Sequence, residues 1–370
     1  MAGRPSALAP EMPRSWSKAC RLPFVTRVPC VAGVALLLVA CQGKREASPS
    51  PSPSSAKIAP SATAAVASVE AVANAASAPS GSAASSVAPP SPEPAYVPDP
   101  KAYPWLGDAR EFPKPDASLE TRFPTPPGYK RVPVEPGSFA EWLRSLPMAP
   151  EGTSVSSFDG KQTLAADDDY LAGVVAIDTG NPDLQQSSDV IIRLHAEYLW
   201  SRGEKDKISY LSATKLNMPF SRWEKGQRLI PNGPNVFWVK GKPSGDVDHA
   251  EFRRYLDAVF NWANSTSLSA RSTPVGAESL TAGDFFLQSR EPNHVAVVLD
   301  IAEKPSGERV ALLGQARNPA ESIHVVRPGK ATPWFSVRPP VPVLTPHSKA
   351  LAWRDLRRMS AGTPPADTEK

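Results

Sequence analysis

The chain has 370 residues, 41 Lys plus Arg against 37 Asp plus Glu, and three cysteines, Cys20, Cys30 and Cys41, all within its first 41 positions. Five basic residues (Arg4, Arg14, Lys18, Arg21, Arg27) and one acidic residue (Glu11) precede Cys41 and account for the whole formal charge of +4, so the remainder is neutral and its net charge favours neither nucleic acid nor an anionic membrane. A domain built beyond Cys41 has no thiol, which excludes disulfides, thiolate metal sites and a cysteine nucleophile.

Residues 1–40 read as a basic segment, an apolar run from Val31 to Ala40 and a cleavage site. The run is about ten residues long where a membrane-spanning helix needs about twenty, so it predicts a signal peptide. Its end, Leu38-Val39-Ala40-Cys41, resembles the lipobox of bacterial lipoproteins, which implies cleavage before Cys41 and acylation of its sulfur. Met1 or Met12 could serve as the start, and Gln42 after the cysteine, rather than aspartate, suits an outer membrane on its periplasmic side if the host has two membranes. From 41 to 98 the chain is dominated by Ser, Ala and Pro and predicts a disordered tether, reaching roughly 40 Å as a flexible chain. Residues 99–358 are expected to form one globular domain and 359–370 a disordered tail.

Within the domain, Ser138-Phe139-Ala140-Glu141 has capping-box spacing, with Trp142, Leu143 and Leu146 on the apolar side of a short helix. The acidic run Asp167-Asp168-Asp169 reads as a solvated turn. Leu171 to Ile177 reads as a buried strand. Asn181-Pro182-Asp183 supplies an N-cap, a first-turn proline and a first-turn acid for a helix expected to run to about Arg202, with Leu184, Ser187, Ile191, Leu194 and Tyr198 on one face. Asp189, Arg193 and Glu197 fall at i, i+4, i+8, the spacing of an ion-pair ladder on a helix face. Phe252, Leu256, Val259 and Ala263 mark a second helix from about His249 to Ala263. Beyond Gly283 the period changes to short β-prone runs, Asp284 to Gln288, His294 to Ile301, Arg309 to Gln315 and Ser322 to Val326, separated by Pro292-Asn293, Pro305-Ser306-Gly307 and Asn318-Pro319. Helices followed by an antiparallel meander predict an α+β fold, helices packed on an antiparallel sheet.

The segments Asp183-Leu184-Gln185-Gln186, Arg193 to Leu199, Ser221-Arg222-Trp223, Phe252 to Leu256, Gly283-Asp284-Phe285-Phe286, His294 to Val298 and Ile323-His324-Val325 resemble the bacterial domain of unknown function family 4846, often found in lipoproteins. The family name implies no activity. More distantly, the order of elements is similar to the NlpC-type and papain-like amidases of cell walls. That resemblance implies a nucleophilic cysteine at a helix start, Gly-Asp leading a strand, a histidine opening the next strand and a polar orienting residue on the strand after. A helix N-terminus favours a thiolate, and a rigid sheet holds the histidine within reach. Here Gly283-Asp284 precedes Phe285, His294 opens an apolar strand and Gln315 ends the following one, and the three are expected to converge at one end of the sheet.

The resemblance implies a cysteine after Gln186, but the sequence has Ser187 and then Ser188, so the site has no thiolate to offer at neutral pH. Asn293 stands where glycine normally precedes the histidine, and Arg317-Asn318 replace a Tyr-Met pair. Each site residue also has a plainer reading: Ser187 as a small residue where a helix meets the sheet, His294 as a strand-end histidine bound to a carbonyl, Gln315 and His324 as structural polar groups. The sequence lacks a Gly-rich phosphate loop, a His-Glu-x-x-His motif and a calcium loop, so no cofactor, nucleotide or metal is expected. The eight tryptophans after Cys41 are expected mainly in the core. Together these features predict an envelope protein anchored to the membrane at Cys41, whose degenerate amidase-like cleft around Ser187, His294 and Gln315 binds a cell-wall peptide or glycan without cutting it. The alternatives are a hydrolase using Ser187 as nucleophile, His294 as base and Gln315 as orienter, and a non-catalytic scaffold lipoprotein that uses another surface.

Overall fold

A computed structural model describes residues 95–108, 112–243, 245, 247–288, 294–346 and 348–360. The signal peptide, Cys41, most of the tether, Pro292-Asn293 and residues 361–370 lie outside the described residues.

Almost every side chain from His294 to Ala302 is buried, which requires cover on both faces of the strand. In chain order the principal strands are β1 (Lys130–Arg131), β2 (Leu171–Val174), β3 (Gln227–Asn232), β4 (Asn235–Lys240), β5 (Ser272–Pro274), β6 (Phe285–Gln288), β7 (His294–Glu303), β8 (Arg309–Gln315), β9 (His324–Val326), β10 (Phe335–Val337) and β11 (Leu356–Met359). Nine of them form one antiparallel sheet in the order β5-β11-β6-β7-β8-β9-β2, with β10 on β8 and β1 on β7, while β3 and β4 make a separate hairpin. Along β7, Val295, Val297 and Leu299 enter one core, and Ala296 and Val298 enter a second core on the opposite face. A bulge between Val298 and Asp300 inserts one residue, after which Ile301 faces the second core and Ala302 the first. Met359, placed by the sequence in the tail, closes β11 opposite Ser272.

The helices are α1 (Leu119–Arg122), α2 (Phe139–Arg144), α3 (Asp189–Ser201), α4 (Phe220–Glu224), α5 (His249–Trp262) and α6 (Ser265–Ala270). Helices and an antiparallel sheet make the fold α+β. The Ser138 hydroxyl caps α2 by accepting from the Glu141 N–H at 3.2 Å, and Asp248 caps α5 by accepting from the Glu251 N–H at 2.8 Å. Phe252, Leu256 and Val259 are fully buried on one side of α5, each stabilising the fold by roughly 2–3 kcal/mol. Trp200 of α3 stacks on Phe252 at 4.4 Å between ring centroids, fixing the two long helices against each other. Four of the tryptophans, Trp105, Trp142, Trp223 and Trp334, are buried. The segment 167–169 is a turn in which Asp168 accepts from the Tyr170 N–H and Asp169 pairs with Lys330.

The strand expected from Leu171 to Ile177 ends at Val174, and the start of the first long helix moves further. Helix α3 begins at Asp189, not near Asn181. The Asn-Pro-Asp signal starts a turn instead: the Asp183 carboxylate accepts from Gln186 Nε2 (3.0 Å) and from the Ala320 N–H (2.7 Å), holding residues 183–186 out of the helix and tied to a distant loop. Ser187 therefore stands two residues before the helix and not within its apolar face.

Candidate functional site

Antiparallel pairing of neighbouring strands brings the first residue of β7, the last of β8 and the first of β9 to one end of the sheet. Gly314 pairs with Val297 and with Val325, and Gln315 pairs with His324. His294 Nε2 lies 2.9 Å from Gln315 Oε1, and Gln315 Nε2 lies 3.3 Å from His324 Nε2. The turn before α3 sets Ser187 above this row, with Ser187 Oγ 3.4 Å from His294 Nδ1. The backbone N–H of Val295 donates to Ser187 Oγ at 2.9 Å, and the Ser187 N–H donates to Asn318 Oδ1 at 3.2 Å.

The proton arrangement follows from the far end of the chain. His324 Nδ1 lies 3.0 Å from the Ser322 carbonyl, which can only accept, so Nδ1 carries a proton. Gln315 Nε2, an amide nitrogen that can only donate, faces His324 Nε2, which therefore accepts, and Gln315 Oε1 faces His294. His294 then donates from Nε2 and accepts the Ser187 hydroxyl proton at Nδ1. The order of groups is that of nucleophile, base and orienting amide. Burial pushes His294 down to about 4, against the opposing hydrogen bond to Gln315, so its imidazole is neutral at physiological pH. A general base works best with a pKa near the operating pH, and His294 lies well below it.

The three residues are enclosed: Ser187 is 3% exposed, His294 8% and Gln315 1%. The Ser187 hydroxyl uses its proton toward His294 and a lone pair toward Val295, so its oxygen is engaged as a bridge between the turn and β7. Sequence reasoning had His324 as a structural polar group. It did not find Asn318 or Asp183 as supports of the site, because their partners lie 131 and 137 residues away. Among the described residues, no group of three or more His, Cys, Asp or Glu is placed to hold a metal ion.

Residues 119–358, well over half of the chain, match the family described as domain of unknown function 4846. The chain belongs to that family. No curated protein and no solved structure matches it.

Within this family domain the expected ladder of Asp189, Arg193 and Glu197 forms only in part: the Arg193–Glu197 pair is made, but in the core, and Asp189 turns to the Gln186 N–H. Asp189, Arg193 and Glu197 are all 0% exposed. Arg193 binds Glu197 (2.8 Å), Asp178 (2.9 Å) and Gln185 (2.8 Å), and Glu197 continues to His249 Nε2 (2.8 Å), whose Nδ1 meets Asp108 (2.9 Å). Asp189 accepts from the Gln186 N–H at 3.1 Å. Burial of Arg193 and Glu197 is tolerable because each is matched by more than one partner.

The domain's Gly283-Asp284 pair also departs from expectation. Because β6 and β7 are antiparallel, Gln288 pairs with His294 while the Gly283 N–H bonds to Val298 at the other end of β6. Gly283 and Asp284 instead line a separate cleft of about 480 Å³ with Phe139, His195, Tyr198 and Arg358. Neither this cleft nor a second of about 400 Å³ is lined by Ser187, His294 or Gln315.

Proposed function

We propose that this domain is a non-hydrolysing relative of the NlpC-type and papain-like cell-wall amidases, held at the cell envelope by a lipid on Cys41, and that it binds a cell-wall peptide or glycan without cutting it. One observation supports the reading: the Ser187 hydroxyl lies beside His294 in the row that continues to Gln315, yet is enclosed and bridged to the Val295 N–H. A thiolate at that position would be strongly nucleophilic, and a bridged hydroxyl is not. His294, neutral and with a low pKa, is a weak base for such a hydroxyl.

The test is incubation of the full chain with purified cell-wall sacculi. Co-sedimentation without release of soluble peptide supports the reading. Release of peptide that disappears in both Ser187→Ala and His294→Ala replaces it with the serine-hydrolase reading, and neither binding nor release leaves a scaffold lipoprotein. The anchor is tested separately: Cys41→Ser should leave an uncleaved or mislocalised precursor, and wild-type processing of that variant contradicts the lipid.

A further inference from the structure

The β3–β4 hairpin turns one face inward and one outward. Leu229 and Val236 are buried on the inner face, and Trp238 beside them donates its Nε1–H to the Asn217 carbonyl at 2.9 Å. On the outer face Ile230 and Phe237 are direct cross-strand partners, with Val239 two residues on. These three side chains are 45%, 47% and 42% exposed, although alternation on an antiparallel ribbon would place polar groups there. The base of the hairpin is basic. Lys225, Lys240 and Lys242 are exposed and form no ion pair with the described residues, whereas the acids beside the hairpin have other partners, Glu224 facing Lys205 at 3.9 Å and Glu251 binding Arg228 at 2.8 Å.

We propose that this hairpin is a membrane-surface contact that inserts Ile230, Phe237 and Val239 among the acyl chains of a bilayer carrying anionic lipid. Three side chains are too few for a stable protein interface, which needs about 800 Å² from each partner. Shallow insertion needs only a small apolar tip flanked by cations. The chain beyond Cys41 is neutral as a whole, so the attraction is local to these lysines. The inference does not depend on the reading of Ser187 or on a lipid at Cys41.

The test uses the full chain with Cys20, Cys30 and Cys41 replaced by serine and an environment-sensitive nitrobenzoxadiazole dye on Val239→Cys, with Ser306→Cys in the exposed turn after β7 as the control position. Vesicles of phosphatidylcholine mixed with phosphatidylglycerol should shift the emission at 239 to the blue and bring it within reach of an acyl-chain nitroxide quencher, leaving 306 unchanged. Lys240→Gln and Lys242→Gln should each weaken that response by about fivefold, and phosphatidylcholine alone should produce little of it. Unchanged emission at 239, an equal shift at both positions, or a response indifferent to the lysines and to phosphatidylglycerol would overturn the proposal. A blue shift that grows with protein concentration without vesicles would also overturn it, since a second copy would then be the occupant. Val239, Lys240, Lys242 and Ser306 are exposed, so loss of fold at these positions does not confound the outcomes.

Discussion

The backbone N–H of Val295 donates to Ser187 Oγ at 2.9 Å while that hydroxyl faces His294 Nδ1 at 3.4 Å, so one serine joins the turn before α3 to the first two residues of β7. Removing the hydroxyl leaves a buried N–H and a buried imidazole without their partner. Ser187→Ala should therefore lower the free energy of unfolding by roughly 1–3 kcal/mol in urea denaturation, and the nearly isosteric Ser187→Cys by less. A fully neutral Ser187→Ala would mean that the bridge contributes nothing.

His294 is held down to about 4, first by burial, and His195 likewise by burial and then by Arg271. Both groups bind protons less readily folded than unfolded. The stability they contribute is complete above the unfolded value of about 6.5 and is lost as pH falls toward the folded value. An NMR titration should find the His294 ring neutral down to about pH 4. A midpoint near the ordinary histidine value would contradict the enclosed site.

His249 has the opposite sign. Burial by itself would lower it, but the carboxylates of Glu197 and Asp108 together raise it above the ordinary value, against the opposing charge of Arg193. Its contribution is complete below about 6.5 and disappears as pH rises through the raised folded value. The stability difference between wild type and His249→Asn should therefore be larger at about pH 6 than at about pH 9, and an unchanging difference would remove the charged His249 from the account.

Arg193 neutralises two buried carboxylates, Asp178 and Glu197. Arg193→Met should cost about 3–5 kcal/mol, and combining it with Glu197→Leu should recover part of that loss. Strict additivity of the two changes would mean that the pair is not coupled.

The strands from 285 to 288, 294 to 303 and 309 to 315 were legible because each is a short apolar run bounded by turn residues, and α5 was legible because Phe252, Leu256 and Val259 recur at helical spacing. Ser187, His294 and Gln315 were grouped through the likeness to NlpC-type and papain-like amidases, and the antiparallel pairing of β7, β8 and β9 is what brings the two strand residues together. What was not legible depended on long-range partners. The signal at Asn181 is equally good for a helix start and for the turn that Asp183 fastens to Ala320. The i, i+4 spacing of Arg193 and Glu197 is the same on a solvated face as in a core, and only the partners Asp178 and His249 distinguish the two. Gly283-Asp284 was grouped with His294 by motif, whereas hairpin pairing places them at opposite ends of β6.

The most direct test of the central claim, that Ser187 is a structural bridge and not a nucleophile, is treatment of the full wild-type chain with a fluorophosphonate, followed by mass mapping of the modified peptides. A fluorophosphonate forms a stable ester only with a serine activated by a neighbouring base. The account predicts that Ser187 stays unlabelled at neutral pH. Stoichiometric labelling of Ser187 that disappears in His294→Ala would contradict it and establish a serine hydrolase.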